Sequence, residues 1–376
     1  MRAQGFAFAV TGRDAGARVG RLSTPHGDID TPAFMPVATY GAVRGVGPED
    51  LAALGAQILL TNTYHLHERP GEDVVAGLGG LHGFTGWRGP WLSDSGGFQV
   101  TSLAAHSRVD EEGVTFTSPL DGRRRTLTAE NTMAIPEALG ADIAMVLDEC
   151  HAADSGAGAD LRERATTERT LRWAARCAAA RKRRDQALFG IVQGGTSESL
   201  RRASARGTAA LGFDGFAHGG LGLGEAPERR SDLIAAAREE LPADAPRYLM
   251  GIGQPADIAD AVAGGVDLFD CVIPTRHARH GVLFTSRGVL KARNARFKDD
   301  PDPPDPDCDC PTCTRHSRGY LRHLLHVNEA LGARLASLHN LRFYLRLLAD
   351  ARTAIAAGGF AAFRARIAAI ADEPAA

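Results

Sequence analysis

At 376 residues the chain could hold two or three domains of about 150 residues, or one barrel of ~250 residues with additions. Its 44% hydrophobic and 23% charged residues exclude a wholly disordered chain, a collagen-like repeat and a small disulfide scaffold. The net charge of −2 carries no global basic field. The apolar runs, such as Ala141–Leu147 with Asp142 inside it, fall far short of the ~20 residues of a membrane helix. The N-terminal apolar stretch is too short for a secretory signal, so a cytoplasmic location is expected.

Residues 1–30 read as short strands with turns, a sheet expected to pack on the bottom of a barrel. From there short apolar runs alternate with helical patterns. The runs end near Thr39, Asn62, Asp94, Asp148, Gln193, Gly220, Gly251 and Asp270, eight in all. Helical patterns cover Pro48–Leu54, Leu161–Arg184, Glu198–Leu211, Pro227–Leu241 and Pro255–Ala263. Apolar runs without polar alternation are strands covered on both faces, as in a parallel sheet flanked by helices. Eight such units predict a (β/α)8 TIM barrel over 31–274, with an open doubly wound sheet as the alternative. A hairpin insertion is expected at 103–130, around the Asp121-Gly122 turn signal. Residues 275–340 form a further subdomain, and the Ala/Leu/Arg-rich helical tail, 341–376, completes the barrel.

Barrel active sites lie where the strands end. Asp94, Asp148 and Asp270 stand there, with Gln193 and the bare backbone of Gly219, Gly220 and Gly251. Helix capping is the plain explanation of an aspartate at such a junction. Three carboxylates at three strand ends point instead to a pocket. It has acceptors (Asp148), an amide (Gln193), exposed backbone amides (Gly220, Leu221) and an apolar lid (Phe98, Met250). That inventory suits a planar heterocycle with several N–H donors and a carbonyl, a purine, and leaves Asp94 and Asp270 for reaction chemistry. His65-x-His67 raises the alternative of a metallohydrolase, although metal-binding partners at the later strand ends are mostly absent and His218 is expected to point sideways.

From Cys271 to Lys298 the chain carries seven Lys or Arg residues, His277 and His280, and no acid. This is either a solvated face or a phosphate-binding surface. Asp299–Asp307 comes next, five acids among four prolines. Cys308, Cys310 and Cys313 then fall within six residues, a spacing that suggests ligation of zinc. His316, His323, His326 and His339 are the nearby candidates for a fourth ligand. Four filled positions would make the metal structural.

SDSGGFQ (Ser93–Gln99), DLFDCVIPTR (Asp267–Arg276) and the CxCxxC cluster with a downstream histidine together resemble the bacterial tRNA-guanine transglycosylase family (queuine tRNA-ribosyltransferase), over nearly all of residues 5–350. The resemblance implies a pentosyltransferase that exchanges guanine at the wobble position of GUN-anticodon tRNAs for the 7-deazaguanine preQ1, in queuosine biosynthesis. The implied tRNAs are those for aspartate, asparagine, histidine and tyrosine. It makes Asp270 the nucleophile of a covalent ribosyl-aspartate intermediate and Asp94 the general acid/base. Base recognition falls on Asp148, Cys150, Gln193, Gly220, Leu221, Phe98 and Met250. Anticodon contact falls on Arg276, His277, Arg279 and His280, and one structural Zn2+ on Cys308, Cys310, Cys313 and His339. A homodimer is implied, with His316 replacing an interface aromatic, and RHARHG (Arg276–Gly281) departs from the family's usual loop. Cys150 and Leu223 suit preQ1 over the bulkier queuine; queuine salvage and a non-catalytic tRNA-binding subunit are the alternatives.

Overall fold

The computed structural model describes residues 3–99, 107–150 and 159–372. An antiparallel sheet comes first: β1 (Ala7–Asp14), β2 (Ala17–Thr24) and β3 (Gly27–Thr31). β4 (Ala33–Pro36), β5 (Leu59–Thr61) and β6 (Trp91–Ser93) begin the barrel. β7 (Arg108–Val109), β8 (Gly113–Thr117) and β9 (Arg124–Thr128) form a separate antiparallel sheet, β8 and β9 joined across the Asp121-Gly122 turn. β10 (Ile143–Met145), β11 (Ala187–Val192), β12 (Gly215–His218), β13 (Arg247–Leu249) and β14 (Leu268–Cys271) complete the parallel strands. A hairpin of β15 (Val282–Thr285) and β16 (Gly288–Lys291) comes after them.

The eight parallel strands run β4-β14-β13-β12-β11-β10-β6-β5. A single bridge, Val37 to Leu60, closes the ring between its two ends. The fold is therefore a (β/α)8 barrel. All six residues of β11 are buried, as a strand covered on both faces requires. Register decides which side each residue takes. Met35, Ile191, Ala217, Tyr248, Leu268 and Asp270 share the inner side, while Phe34, Phe269, Leu249 and His218 face the helices. His218 does point sideways.

The helices match the expected units with trimmed ends. The pattern over Leu161–Arg184 forms Ala159–Ala180 and stops before the RKRR run, where Arg181 turns to Asp214 at 3.0 Å. Pro227–Leu241 ends at Arg238. The tail differs more. Ala330–Ala356 is one 27-residue helix running unbroken through residue 340, so the tail's first helix starts well before 341 and His339 lies inside it. A second helix, Phe360–Asp372, is split off at Gly358, whose φ of +68° is a left-handed conformation that glycine adopts without a Cβ penalty. Among the described residues no helix is long and apolar enough to cross a membrane.

The N-terminal sheet seals the bottom of the barrel. Buried Arg18 of β2 donates Nε to Asp267 Oδ1 at 2.9 Å and also reaches the carbonyls of Ala243 and Ala245. Asp142, Asp214 and Asp267 each stand directly before a strand. They accept the backbone N–H of Trp91, Leu188 and Arg247, at the starts of the neighbouring strands. The carboxylates thus staple pairs of strands together.

Candidate active site and metal cluster

Asp94 follows β6 and turns into the barrel mouth, 6% exposed. Its Oδ1 accepts the N–H groups of Thr63 at 2.8 Å and Gly96 at 3.1 Å; its Oδ2 accepts Asn62 Nδ2 at 2.5 Å and Gln99 Nε2 at 2.9 Å. All four donors are neutral. Burial outweighs them and, with the charge of Asp270, pushes the carboxyl up to about 6. Asp270, inside β14, accepts Tyr248 Oη at 2.6 Å and the Gly251 N–H at 2.8 Å, both on Oδ1. Burial raises its carboxyl as well.

Beside them, Asp148 is 3% exposed and joins two strand ends. It accepts Ser95 Oγ at 2.9 Å and Gln193 Nε2 at 2.7 Å. The glycines here are packing requirements. A Cβ on Gly97 would meet the Asp148 carbonyl at 2.6 Å, and one on Gly220, at φ +65°, would meet Gln193 Oε1 at 2.3 Å. Leu221 is buried, Met250 half-buried, and Phe98 is 47% exposed. Burial, with the charge of Asp148, pushes the Cys150 thiol up to about 12, so it is a neutral thiol rather than a nucleophile.

Arg201 carries no sequence signal of its role. In its helix it looks like an ordinary solvated arginine, yet it is fully buried. It donates to the carbonyls of Gly195, Val192, Gly219 and Gly220, binding the loop of Gln193 to the loop of Gly220. Asn62, Gln99 and Tyr248 are hidden likewise, because a neutral donor has no signature until a buried carboxylate faces it. The His65-x-His67 pair separates. His67 Nδ1 lies 2.8 Å from Glu72, and His65 packs against the rings of Tyr40 and Tyr64. Neither belongs to a metal-holding cluster among the described residues.

Directly after β14 the helix Ile273–Arg279 carries Arg276, His277 and Arg279, with His280 at its end. Arg276 and His280 are exposed, His277 and Arg279 half-buried. Burial lowers Arg279, and so do Arg44 and Arg276, which places Arg44 from the loop after β4 in the same positive field. Asn340 anchors the segment, donating to the carbonyls of Pro274 and Val282 and accepting the Phe284 N–H.

Cys308, Cys310, Cys313 and His339 bring their ligand atoms within 4.8 Å of one another. His339 Nδ1 is 3.2 Å from Cys313 Sγ and 3.7 Å from Cys310 Sγ. Its Nε2 donates to the Phe284 carbonyl at 2.8 Å, which fixes the tautomer and leaves the Nδ1 lone pair facing the sulfurs. Hydrogen bonds from Cys308 and Cys313 pull the Cys310 thiol down to about 3. Soft, deprotonatable donors around a buried imidazole nitrogen fit a metal ion with a closed shell of ligands. His316, His323 and His326 are outside the cluster.

Buried carboxylates held by neutral donors at the open end of a (β/α)8 barrel define a barrel enzyme. Its relatives narrow the class to one family. The family model described as Queuine tRNA-ribosyltransferase matches residues 14–372. Over 360 residues the chain is 51% identical to the queuine tRNA-ribosyltransferase of Stenotrophomonas maltophilia strain K279a, covering 95% of each protein. It is 52% identical to a queuine tRNA-ribosyltransferase of Thermus thermophilus, covering 95% of this chain and 92% of the relative. The chain belongs to the queuine tRNA-ribosyltransferase family and is an enzyme, a pentosyltransferase.

Proposed function

We propose that the enzyme exchanges guanine at the wobble position of GUN-anticodon tRNAs for preQ1, through a ribosyl ester on Asp270. The carrying observation is the pair of carboxylates, buried Asp94 and half-buried Asp270, held by neutral donors beside Asp148 and Gln193. A carboxylate paired with arginine would be a poor nucleophile and a poor base. Among the described residues Asp270 keeps both of its hydrogen bonds on Oδ1, which leaves Oδ2 to attack C1′ of the ribose. The C1′–O ester forms as the C1′–N9 bond of guanosine breaks, through an oxocarbenium-like transition state. Near its value of about 6, Asp94 can give a proton to the departing purine and take one from its replacement.

Asp148 would accept the N–H donors of the base, with Gln193, Gly220 and Leu221 fixing its plane, Phe98 and Met250 covering it and neutral Cys150 beside it. Unstacking the nucleotide costs a few kcal/mol, least in a single-stranded loop. Arg276, His277, Arg279 and His280 would face the loop's phosphates. Cys308, Cys310, Cys313 and His339 would hold one zinc ion, whose role when bound is to tie the segment after β16 to the long C-terminal helix. A homodimer through the surface around His316 and Tyr320 is part of the same reading; Tyr320 is 40% exposed and its ring lies 5.2 Å from that of His316.

Leu223 favours preQ1. A side chain there takes volume that a ring substituent needs, and overpacking costs ~1–3 kcal/mol, roughly tenfold to a hundredfold in affinity. The test is competition between preQ1 and queuine for incorporation into one unmodified GUN-anticodon tRNA preloaded with labelled guanine. Release of label with preQ1 preferred is the expected result. A preference for queuine overturns the reading of Leu223, and no release overturns the exchange itself.

A further inference from the structure

We propose a second divalent-metal site, for zinc or a cation of similar softness, at the bottom of the barrel on His26, His82 and Asp142. These residues come from three separate places. His26 is in the turn between β2 and β3, His82 in the short helix Gly80–Thr85, and Asp142 directly before β10. Their ligand atoms nevertheless lie within 4.8 Å of one another. The two imidazoles stack with centroids 3.6 Å apart and planes 21° apart, so both present a nitrogen along the same edge. His26 Nδ1 is 2.7 Å from Asp142 Oδ1. His82 Nε2 is 3.6 Å from Asp142 Oδ2 and donates to the Gly89 carbonyl oxygen at 3.1 Å, so ligation through Nε2 would move that proton to Nδ1.

The carboxylate is oriented independently, because its Oδ2 accepts the Trp91 N–H at 2.9 Å. That backbone bond is the kind of outer contact that presets a ligand before metal arrives. Two imidazoles and a carboxylate suit Zn2+, Co2+ or Ni2+, and suit Ca2+ or Mg2+ poorly. The His26 side chain is 40% exposed, which gives the ion a route in and room for water. Bound metal would clip the N-terminal sheet to the barrel, closing a loop of 116 residues between His26 and Asp142. The site shares no residue with the cysteine cluster.

The test is metal content of the full, untagged chain by mass spectrometry after dialysis against micromolar zinc, with a parallel cobalt titration. Thiolate-to-cobalt absorption reports the cysteine cluster separately. About two equivalents are expected in the parent chain and about one in His26→Ala and in His82→Ala, with the thiolate band unchanged. His26→Ala is the safeguard for folding, since the Gly89 contact belongs to His82. One equivalent in the parent, or a second equivalent that survives both substitutions, overturns the site and marks the three residues as a hydrogen-bonded triad.

Discussion

The two ends of this barrel bury aspartates in opposite company. At the mouth, Asp94, Asp148 and Asp270 are held by amides, hydroxyls and backbone N–H groups. At the bottom, Asp267 faces Arg18, Asp214 faces Arg181, and Asp142 faces two histidines. All six are buried except Asp270, which is half-buried, and Asp267 is raised by burial even beside Arg18. What differs is whether an arginine or a histidine stands by. A paired carboxylate fastens strands, whereas one surrounded by neutral dipoles keeps its charge available to a substrate. The same residue type thus serves stability at one end and chemistry at the other.

The sharpest way to break this contrast is at the nucleophile. Asp270→Asn is expected to reduce base exchange more than about a thousandfold and to abolish any denaturation-resistant RNA adduct, as loss of a covalent catalyst does. Folding and tRNA binding should be retained, read by melting and filter binding; near-normal turnover would remove Asp270 from the chemistry. Arg18→Ala is the converse. Leaving Asp267 buried without its partner should cost about 3–5 kcal/mol in urea unfolding while turnover per folded molecule is preserved. An equal loss of turnover would mean that the two ends are not separable.

A pH experiment sharpens the comparison further. Asp94 is raised from 3.8 to about 6, so the folded state binds its proton more tightly than the unfolded chain does. The stabilisation is complete below about pH 4 and is lost as pH rises through about 6, a swing of about 3 kcal/mol at 1.4 kcal/mol per unit. The stability difference between the parent and Asp94→Asn should shift by that order between pH 4 and pH 7, the variant gaining ground as pH rises. A difference that stays flat would place the proton elsewhere. The smallest expected effect belongs to the rim. Replacing Arg276 and Arg279 by Glu should weaken tRNA binding and flatten its dependence on salt, by a slope of about 0.7 for each phosphate no longer engaged. An unchanged slope would move the RNA surface to another face.

How much of this could be read from the residues depends on which end is considered. The mouth was legible because six of the eight apolar runs end on a polar residue, and Asp94, Asp148, Gln193 and Asp270 are such endings. The bottom was not. Arg18 and Asp267 meet across 249 positions, and nothing periodic links them. Asp142 looked only like an interruption of an apolar run. The metal cluster lies between these cases: three cysteines within six residues announce ligation, but spacing left four histidines open. Only the long helix brings His339 to the sulfurs, and a helix starting at Ala330 was hidden by the weak break at Val327 and Asn328, the latter at φ +56°. Arg201 illustrates the remaining limit. Its burial depends on two loops whose carbonyls it gathers, and no local pattern encodes them.

The ring of strands has one thin seam. β4 and β5 meet through the Val37–Leu60 bridge, the Ala38 N–H on the Leu60 carbonyl at 2.7 Å, and Thr61 Oγ1 on the Ala38 carbonyl at 3.1 Å. Elsewhere neighbouring strands share two to four register pairs. Local opening takes the least-braced path, so amide deuteration at Ala38 should outpace that at Gly190 or Ala217. Asn62 and Thr63, two of the donors to Asp94, sit immediately beyond this seam. Each breath of the barrel there would withdraw hydrogen bonds from the carboxylate but also admit water, and because burial outweighs those bonds the carboxyl would become more acidic. The proton affinity of Asp94 is then a gauge of whether the ring is shut.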